Sequence, residues 1–154
     1  MCSDQSELPT RRIMLQAAAA VGIAGFFSQA GAAEVTMVNA IGALIGEGAL
    51  QRGKVRLELP PIVENGNAVS LTVSVESPMT ESNHVESIHI FNQKNPQPYV
   101  AAFNFGPRAG KASVSTRIRL ADSQKVVAIA RLNDGSYWSD SADVIVTLAA
   151  CTEQ

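Results

Sequence analysis

The chain has 154 residues, a formal net charge of −2 at pH 7, and 46% hydrophobic residues. This length fits one domain of ordinary size, and the near-neutral balance gives no support for nucleic-acid binding. No block of lysines or arginines indicates attachment to an anionic membrane surface, so both partner classes are excluded.

The first 32 residues are typical of an export signal. Arg11 and Arg12 form a twin-arginine pair ahead of an apolar run over 17–27, and Ala30-Gly31-Ala32 fits a cleavage site. The run is shorter than the roughly 20 apolar residues that cross a bilayer, so no membrane span is predicted. A buried N-terminal helix is the alternative, but it leaves the arginine pair unexplained. We expect export by the twin-arginine pathway, a mature chain beginning near Ala33, and a soluble periplasmic protein.

Residues 33–53 are predicted to form an N-terminal helix and a linker. The helix is expected over 36–50, with Thr36 as its N-cap and weakening at its far end, where two glycines lie. Its apolar residues recur at spacings of three and four, namely Val38, Ile41, Leu44 and Ile45.

From residue 54 the hydrophobic period changes to two, which indicates strands. About seven strands separated by turns every 8–12 residues are typical of an antiparallel sandwich rather than a βαβ fold. We therefore predict an all-β, immunoglobulin-like β-sandwich over 54–148. Its strands are expected at 55–59, 69–75, 84–91, 99–105, 112–120, 125–132 and 143–148.

Residues 149–154 are expected to form a C-terminal arm that protrudes from the last strand and carries Cys151. Cys2 leaves with the signal, so Cys151 is the only cysteine of the predicted mature chain. A lone thiol in an oxidising compartment has no partner for an intramolecular disulfide, which favours a reactive or covalently loaded thiol. If the arm is extended, Cys151 stands about 10 Å beyond the strand end.

No catalytic residue, cofactor or metal site is predicted. His84 and His89 lie five residues apart on one expected strand and so point to opposite faces, which does not suit one metal ion. The segment 48–54 has the spacing of a phosphate-binding loop but lacks the hydroxyl that binds magnesium, and it leads into a strand. Arg117 and Arg119 share one strand face, which is either a solvated surface or a docking surface.

Several segments resemble the SoxY family, the sulfur-carrier subunits of the bacterial thiosulfate-oxidising Sox system. They occur in order along the mature chain: LELP at 57–60, ENGN at 64–67, VSVESPM at 73–79, STRIRLA at 115–121 and DGS at 134–136. The resemblance implies an immunoglobulin-like sandwich in a heterodimer with a SoxZ-like subunit. It also implies that Cys151 holds sulfur intermediates while periplasmic sulfur-oxidising enzymes attach, oxidise and hydrolyse them.

The arm departs from the family pattern Gly-Gly-Cys-Gly-Gly. Ala149 and Ala150 precede the cysteine, and Thr152 follows it. Alanine and β-branched threonine restrict the backbone more than glycine does, so the arm is expected to be stiffer and wider. Glu153 adds negative charge, which disfavours the thiolate and repels anionic thiosulfate. These differences predict a SoxY-related variant that serves different enzymes or a different sulfur species.

The sequence therefore favours a non-enzymatic periplasmic sulfur carrier with Cys151 as its attachment site. A binding or assembly module, anchored to a partner through an intermolecular disulfide at Cys151, is the alternative. A redox-active thiol enzyme is disfavoured because the mature chain has no second cysteine to resolve an intermediate.

Overall fold

The computed structural model describes residues 36–148. These residues form one α-helix, nine strands and one turn of 3₁₀ helix at Pro107–Ala109. The elements are α1 (Met37–Ile45), β1 (Leu50–Arg52), β2 (Val55–Glu58), β3 (Ile62–Val63), β4 (Val69–Val75), β5 (Val85–Asn92), β6 (Tyr99–Asn104), β7 (Ala112–Ile118), β8 (Gln124–Leu132) and β9 (Tyr137–Val146).

Helix α1 begins where the sequence predicts and ends earlier. The Thr36 hydroxyl oxygen accepts a hydrogen bond from the backbone N–H of Asn39, as an N-cap does. Gly46 adopts a φ of 57°, a left-handed conformation that stops the helix. The expected continuation to Leu50 was wrong, because Leu50 already belongs to strand β1.

The strands form two sheets. The larger sheet has the order β1-β9-β8-β5-β6, with β3 also paired to β9, and the smaller has the order β2-β4-β7. The pairs within the smaller sheet and those joining β9, β8, β5 and β6 are antiparallel, whereas β1 and β3 each run parallel to β9. The predicted immunoglobulin-like β-sandwich is confirmed, with two short parallel additions at one edge.

The core lies between the sheets and follows the alternation seen in the sequence. Strand β4 buries Val69, Leu71, Val73 and Val75, while the serines between them face outward. On the larger sheet β8 buries residues on both faces, because α1 covers part of its second side. That second side, which points away from the smaller sheet, is called the outer face below.

Helix α1 packs on the outer face with Met37, Ala40, Ile41 and Leu44 against Phe91, Val127, Ile129 and Tyr137. The Tyr137 hydroxyl donates to the Leu44 carbonyl oxygen at 3.2 Å. The helix thus covers the part of the outer face that these residues form. Among residues 36–148 no helix is long and apolar enough to cross a membrane.

Candidate functional site

The route to Cys151 runs through β9, which lies between β8 on one side and the short strands β1 and β3 on the other. Val144 and Val146 near its end are only 2% and 9% exposed and belong to the main core cluster. Burial of two β-branched side chains holds this part of the strand in place. The segment 146–148, called the arm base below, is therefore continuous with the core.

One edge of the arm base continues the pairing of β9 with β3. The backbone N–H of Thr147 donates to the Val63 carbonyl oxygen at 3.0 Å. The Thr147 hydroxyl donates to the Glu64 carbonyl oxygen at 3.2 Å. The N–H of Gly66 then donates to the Leu148 carbonyl oxygen at 2.8 Å. These bonds fix the chain up to the last described residue.

The other edge of the arm base is held by Ser123, from the loop between β7 and β8. The Ser123 hydroxyl accepts a hydrogen bond from the Val146 N–H at 2.8 Å and is 3.4 Å from the Val146 carbonyl oxygen, to which it donates. One hydroxyl thus satisfies both backbone groups of Val146. The arm base is consequently anchored on its two sides by different loops.

A second set of hydrogen bonds joins these loops to the loop between β5 and β6. Asn95 accepts from the Ala121 N–H at 3.0 Å and donates to the Arg119 carbonyl oxygen at 2.9 Å. Gln124, which is buried, donates to Asn95 at 2.8 Å and accepts from the Lys94 N–H at 2.7 Å. Three loops that are distant in sequence therefore form one connected end of the sandwich.

The charges at this end are paired across exposed positions. Lys94 lies 2.7 Å from Asp122, and Lys125 lies 4.0 Å from Asp143. The hydrogen bond from Lys94, with the backbone N–H of Ser123, lowers the pKa of Asp122. Exposed pairs of this kind contribute little stability, so the arm base is held mainly by its backbone hydrogen bonds and buried valines.

The residues that the sequence assigns to the site lie outside the described residues. These are Cys151 with its arm neighbours Ala149, Ala150 and Thr152, and the signal residues Arg11 and Arg12. Their roles stay predictions. The structure describes the strand and loops up to residue 148, three residues before the cysteine.

The two histidines, expected on one strand, lie in different settings, because β5 begins one residue after His84. His84 precedes β5, and its Nδ1 lies 3.1 Å from the Thr80 carbonyl oxygen. His89 is buried within β5 between Ser87 Oγ at 2.8 Å and Tyr99 Oη at 2.9 Å. Within residues 36–148 no group of three or more His, Cys, Asp or Glu residues could hold a metal ion.

The hydrogen-bonded chain Ser87–His89–Tyr99 was not anticipated from the sequence. Ser87 and His89 lie two apart on one strand, which places them on one face, but the contribution of Tyr99 from β6 required the pairing register. Burial, followed by the positive charge of Arg131, lowers the pKa of His89. The neutral imidazole thus links two hydroxyls within the sheet.

Arg117 lies on the exposed face of the smaller sheet, opposite Ser70 and in the same strand as Ser115. Arg119 is exposed but lies beyond the end of β7, so the strand predicted to run to residue 120 stops two residues earlier. Its carbonyl oxygen is the one bound by Asn95.

The chain matches the family described as sulfur oxidation protein SoxY over residues 41–151. Among solved structures it is similar to the sulfur carrier protein SoxY from Chlorobium limicola f thiosulfatophilum, with 31% identity and a TM-score of 0.62. That match covers 73% of this chain and 97% of the other. Comparison with curated proteins found no match.

Two further similarities concern the fold alone. A superoxide reductase (neelaredoxin) from Ignicoccus hospitalis has 19% identity and a TM-score of 0.55, with 60% of this chain and 79% of the other covered. A putative superoxide reductase from Thermotoga maritima has 23% identity and a TM-score of 0.51, with 67% and 89% covered.

Proposed function

Since the chain belongs to the SoxY family of sulfur oxidation proteins, we propose that it is a periplasmic sulfur carrier whose attachment site is Cys151. The observation that carries this assignment is the extent of the family match, which reaches residue 151 and so includes the cysteine. The carrier role fits a solved SoxY sulfur carrier at 31% identity.

The proposed chemistry needs only the thiol of Cys151 and a donor that contains an S–S bond. The thiolate attacks the outer sulfur of the donor, and a new S–S bond to Cys151 forms as the donor bond breaks. The leaving sulfur group departs with the electron pair, so no external oxidant is required. Access to the thiol and the stability of the leaving group set the rate of such an exchange.

The described residues support a carrier through the way that they hold the arm base. A thiol that is passed between enzymes needs a fixed point of attachment on its own protein. Val144 and Val146 are anchored in the core, and Ser123 and Gly66 bind the strand end from opposite sides.

We further propose that the carrier functions with Sox-system partners, as half of a heterodimer with a SoxZ-like subunit, and that it reaches the periplasm through its Arg11-Arg12 signal. The exposed polar face of the smaller sheet, which includes Arg117, Ser70 and Ser115, is available for a companion subunit. No catalytic residue is assigned, because the enzymes that load and release sulfur supply the catalysis.

The test is the intact mass of the protein isolated from cells that oxidise sulfur compounds. A carrier shows adducts of small mass that reductant removes, and the variant Cys151→Ser lacks them. An adduct of protein size at Cys151 would instead identify a disulfide-anchored assembly module. Small adducts that persist in Cys151→Ser would contradict the assignment of this cysteine.

A further inference from the structure

Tyr99, the first residue of β6, has a base within hydrogen-bond distance of its phenol. Its Oη lies 2.9 Å from His89 Nδ1, and its ring packs on Phe91 with 5.1 Å between the ring centroids. Phe91 is buried, so the tyrosine ring rests on a fixed surface. Tyr99 itself is 44% exposed. The phenol is therefore held against the imidazole at a position that solvent reaches.

The second hydrogen bond of the imidazole favours one direction for the first. His89 Nε2 lies 2.8 Å from Ser87 Oγ. A neutral imidazole has one N–H donor and one acceptor nitrogen. Because a phenol is a stronger acid than an alkyl hydroxyl, it is the better donor, so Tyr99 donates to Nδ1 while Nε2–H donates to Ser87. Burial, followed by the positive charge of Arg131, lowers the pKa of His89, which keeps Nδ1 unprotonated at neutral pH.

The second of the two tyrosines in the chain, Tyr137, has a different acceptor. Its hydroxyl donates to the Leu44 carbonyl oxygen at 3.2 Å, and its half-buried ring packs beneath α1. An amide carbonyl accepts a hydrogen bond but takes up no proton at neutral pH, whereas a neutral imidazole does. Loss of an electron from the phenol can therefore be coupled to transfer of its proton at Tyr99 and not at Tyr137.

A shallow, open hollow gives small molecules access to Tyr99. It has a volume of about 250 Å³ and is lined by Pro96, Gln97, Pro98 and Tyr99. None of these four side chains is charged. The hollow thus has room for a molecule of a few atoms and offers no lining charge to an ion, which suits a small uncharged reagent.

We propose that Tyr99 is a site of oxidative modification, at which His89 accepts the phenolic proton, and that small uncharged radical oxidants such as nitrogen dioxide convert Tyr99 to 3-nitrotyrosine. This inference does not depend on the proposed carrier function. It concerns the opposite property of the His89 chain from stability, namely the reactivity of the hydroxyl at its exposed end.

The modification takes two radicals. One nitrogen dioxide takes an electron from the phenol and leaves as nitrite, while the phenolic proton moves to His89 Nδ1. A second nitrogen dioxide bonds to a ring carbon next to the phenolic carbon, and the hydrogen of that carbon passes as a proton through solvent to the phenolic oxygen. His89 then releases its proton. The products are 3-nitrotyrosine, one nitrite and one proton, and an oxidised phenol is so strong an acid that even a weakly basic imidazole takes its proton.

The experiment compares His89→Gln with the wild-type chain. Glutamine offers Tyr99 an amide, which resembles the setting of Tyr137 and removes the base. His84→Gln is the matched control, since it makes the same change away from both tyrosines. Mature protein with Cys151 alkylated is exposed at neutral pH to a limiting dose of nitrogen dioxide, generated by radiolysis of nitrate. Trypsin then separates Tyr99, in the peptide 95–108, from Tyr137, in the peptide 132–154, and mass spectrometry measures nitration of each.

The wild-type chain should be nitrated at least about tenfold more at Tyr99 than at Tyr137, because a positioned base accelerates proton transfer by this much or more. His89→Gln should lower nitration of Tyr99 about tenfold and leave Tyr137 unchanged. The control should behave as the wild-type chain. Deuterium oxide should slow nitration of Tyr99 in the wild-type chain, because the transferred proton comes from an O–H bond, and should have a smaller effect in His89→Gln.

Three outcomes would overturn the inference. Equal nitration of the two tyrosines in the wild-type chain removes the selectivity. Unchanged nitration of Tyr99 in His89→Gln, at an unchanged thermal midpoint, shows that exposure rather than the imidazole selects this residue. Equal rates for Tyr99 of the wild-type chain in water and deuterium oxide exclude coupled proton transfer, and this last measurement decides the matter even if His89→Gln does not fold.

Discussion

The backbone N–H of Gly66 donates a hydrogen bond to the Leu148 carbonyl oxygen at 2.8 Å, and the Gly66 carbonyl oxygen accepts one from the Leu120 N–H at 2.8 Å. Gly66 thus connects the end of the last strand to the loop after β7. Because Leu148 is three residues before Cys151, this glycine is part of the support on which the proposed carrier arm depends.

Removal of the Ser123 hydroxyl should loosen the arm base. In Ser123→Ala the Val146 N–H loses its 2.8 Å hydrogen bond, which should lower the free energy of unfolding by about 1 kcal/mol. Hydrogen exchange at the amides of Val146 and Thr147 should accelerate. Ser113→Ala, at an exposed position on the smaller sheet, is the control and should change stability by less than about 0.5 kcal/mol. Equal effects of the two variants would show that Ser123 does not anchor the strand.

His89 should make the free energy of unfolding depend on pH below 6.5, the ordinary pKa of a histidine side chain. Its pKa in the folded state is lowered from 6.5 by burial and then by Arg131, so well above pH 6.5 it is neutral in both states and contributes no pH dependence. As the pH falls below 6.5, the unfolded chain binds the proton first. Stability is then lost until the pH passes the folded pKa, with a slope of at most about 1.4 kcal/mol per pH unit.

Urea unfolding at pH 7.5 and 5.5 measures this loss. His89→Gln should reduce the difference in unfolding free energy between the two pH values, whereas His84→Gln should retain it. A wild-type difference that survives in His89→Gln would mean that another group is responsible.

The arm should limit loading by standard Sox enzymes. Replacement of residues 149–154 by Gly-Gly-Cys-Gly-Gly removes the Cβ atoms of Ala149 and Ala150 and the charge of Glu153. Thiosulfate loading in a reconstituted Sox system should rise about tenfold, which corresponds to roughly 1.4 kcal/mol. Ala149→Gly/Ala150→Gly separates backbone freedom from charge, because it keeps Glu153. Equal loading by the native and glycine arms would show that the difference from the family's Gly-Gly-Cys-Gly-Gly pattern does not affect loading.

Export should require the arginine pair. Arg11→Lys/Arg12→Lys should leave the precursor in the cytoplasm, because the twin-arginine signal is read through both residues. N-terminal sequencing of the wild-type periplasmic protein should find a start near Ala33. The control Arg117→Lys/Arg119→Lys makes the same change outside the signal and should be exported. Normal export of the Arg11/Arg12 variant would remove the twin-arginine prediction.

The sequence was informative wherever local pattern determines structure. Strand β4 was predicted with its observed bounds, 69–75, because valine and leucine alternate with serine and threonine there. The N-cap at Thr36 was also correct, since the hydroxyl bonds the N–H three residues on. The end of α1 was misplaced because the conformation of Gly46 is not visible in hydrophobic spacing.

Elements defined by distant partners were missed. Strands β1 and β3 have three and two residues, too few for a period, and exist because β9 pairs with them. Strand β9 was expected at 143–148 but runs over 137–146. Its first half contains Asp140, a poor strand former that is accommodated by accepting the Leu57 N–H at 2.8 Å.

The candidate site shows the same difference between features that the local sequence indicates and features that depend on distant contacts. Cys151 could be proposed from composition and position alone, because it is the sole cysteine of the predicted mature chain; its role stays a prediction. The bonds of Ser123, Asn95 and Gly66 around the arm base could not be predicted, since they join loops that are far apart in the chain.

The parallel pairing of β1 and β3 with β9 also bears on biosynthesis. Leu50 pairs with Tyr137, and Ile62 pairs with Ile145, so the early strands have no partner until the chain has been translated almost to its end. Such long-range pairing closes late in folding. A nascent or truncated chain that stops before β9 keeps unpaired strand edges and should be recognised by proteases. Chains that complete the sheet have therefore been synthesised to within a few residues of Cys151, so the sheet closes only when translation has nearly reached the proposed attachment site.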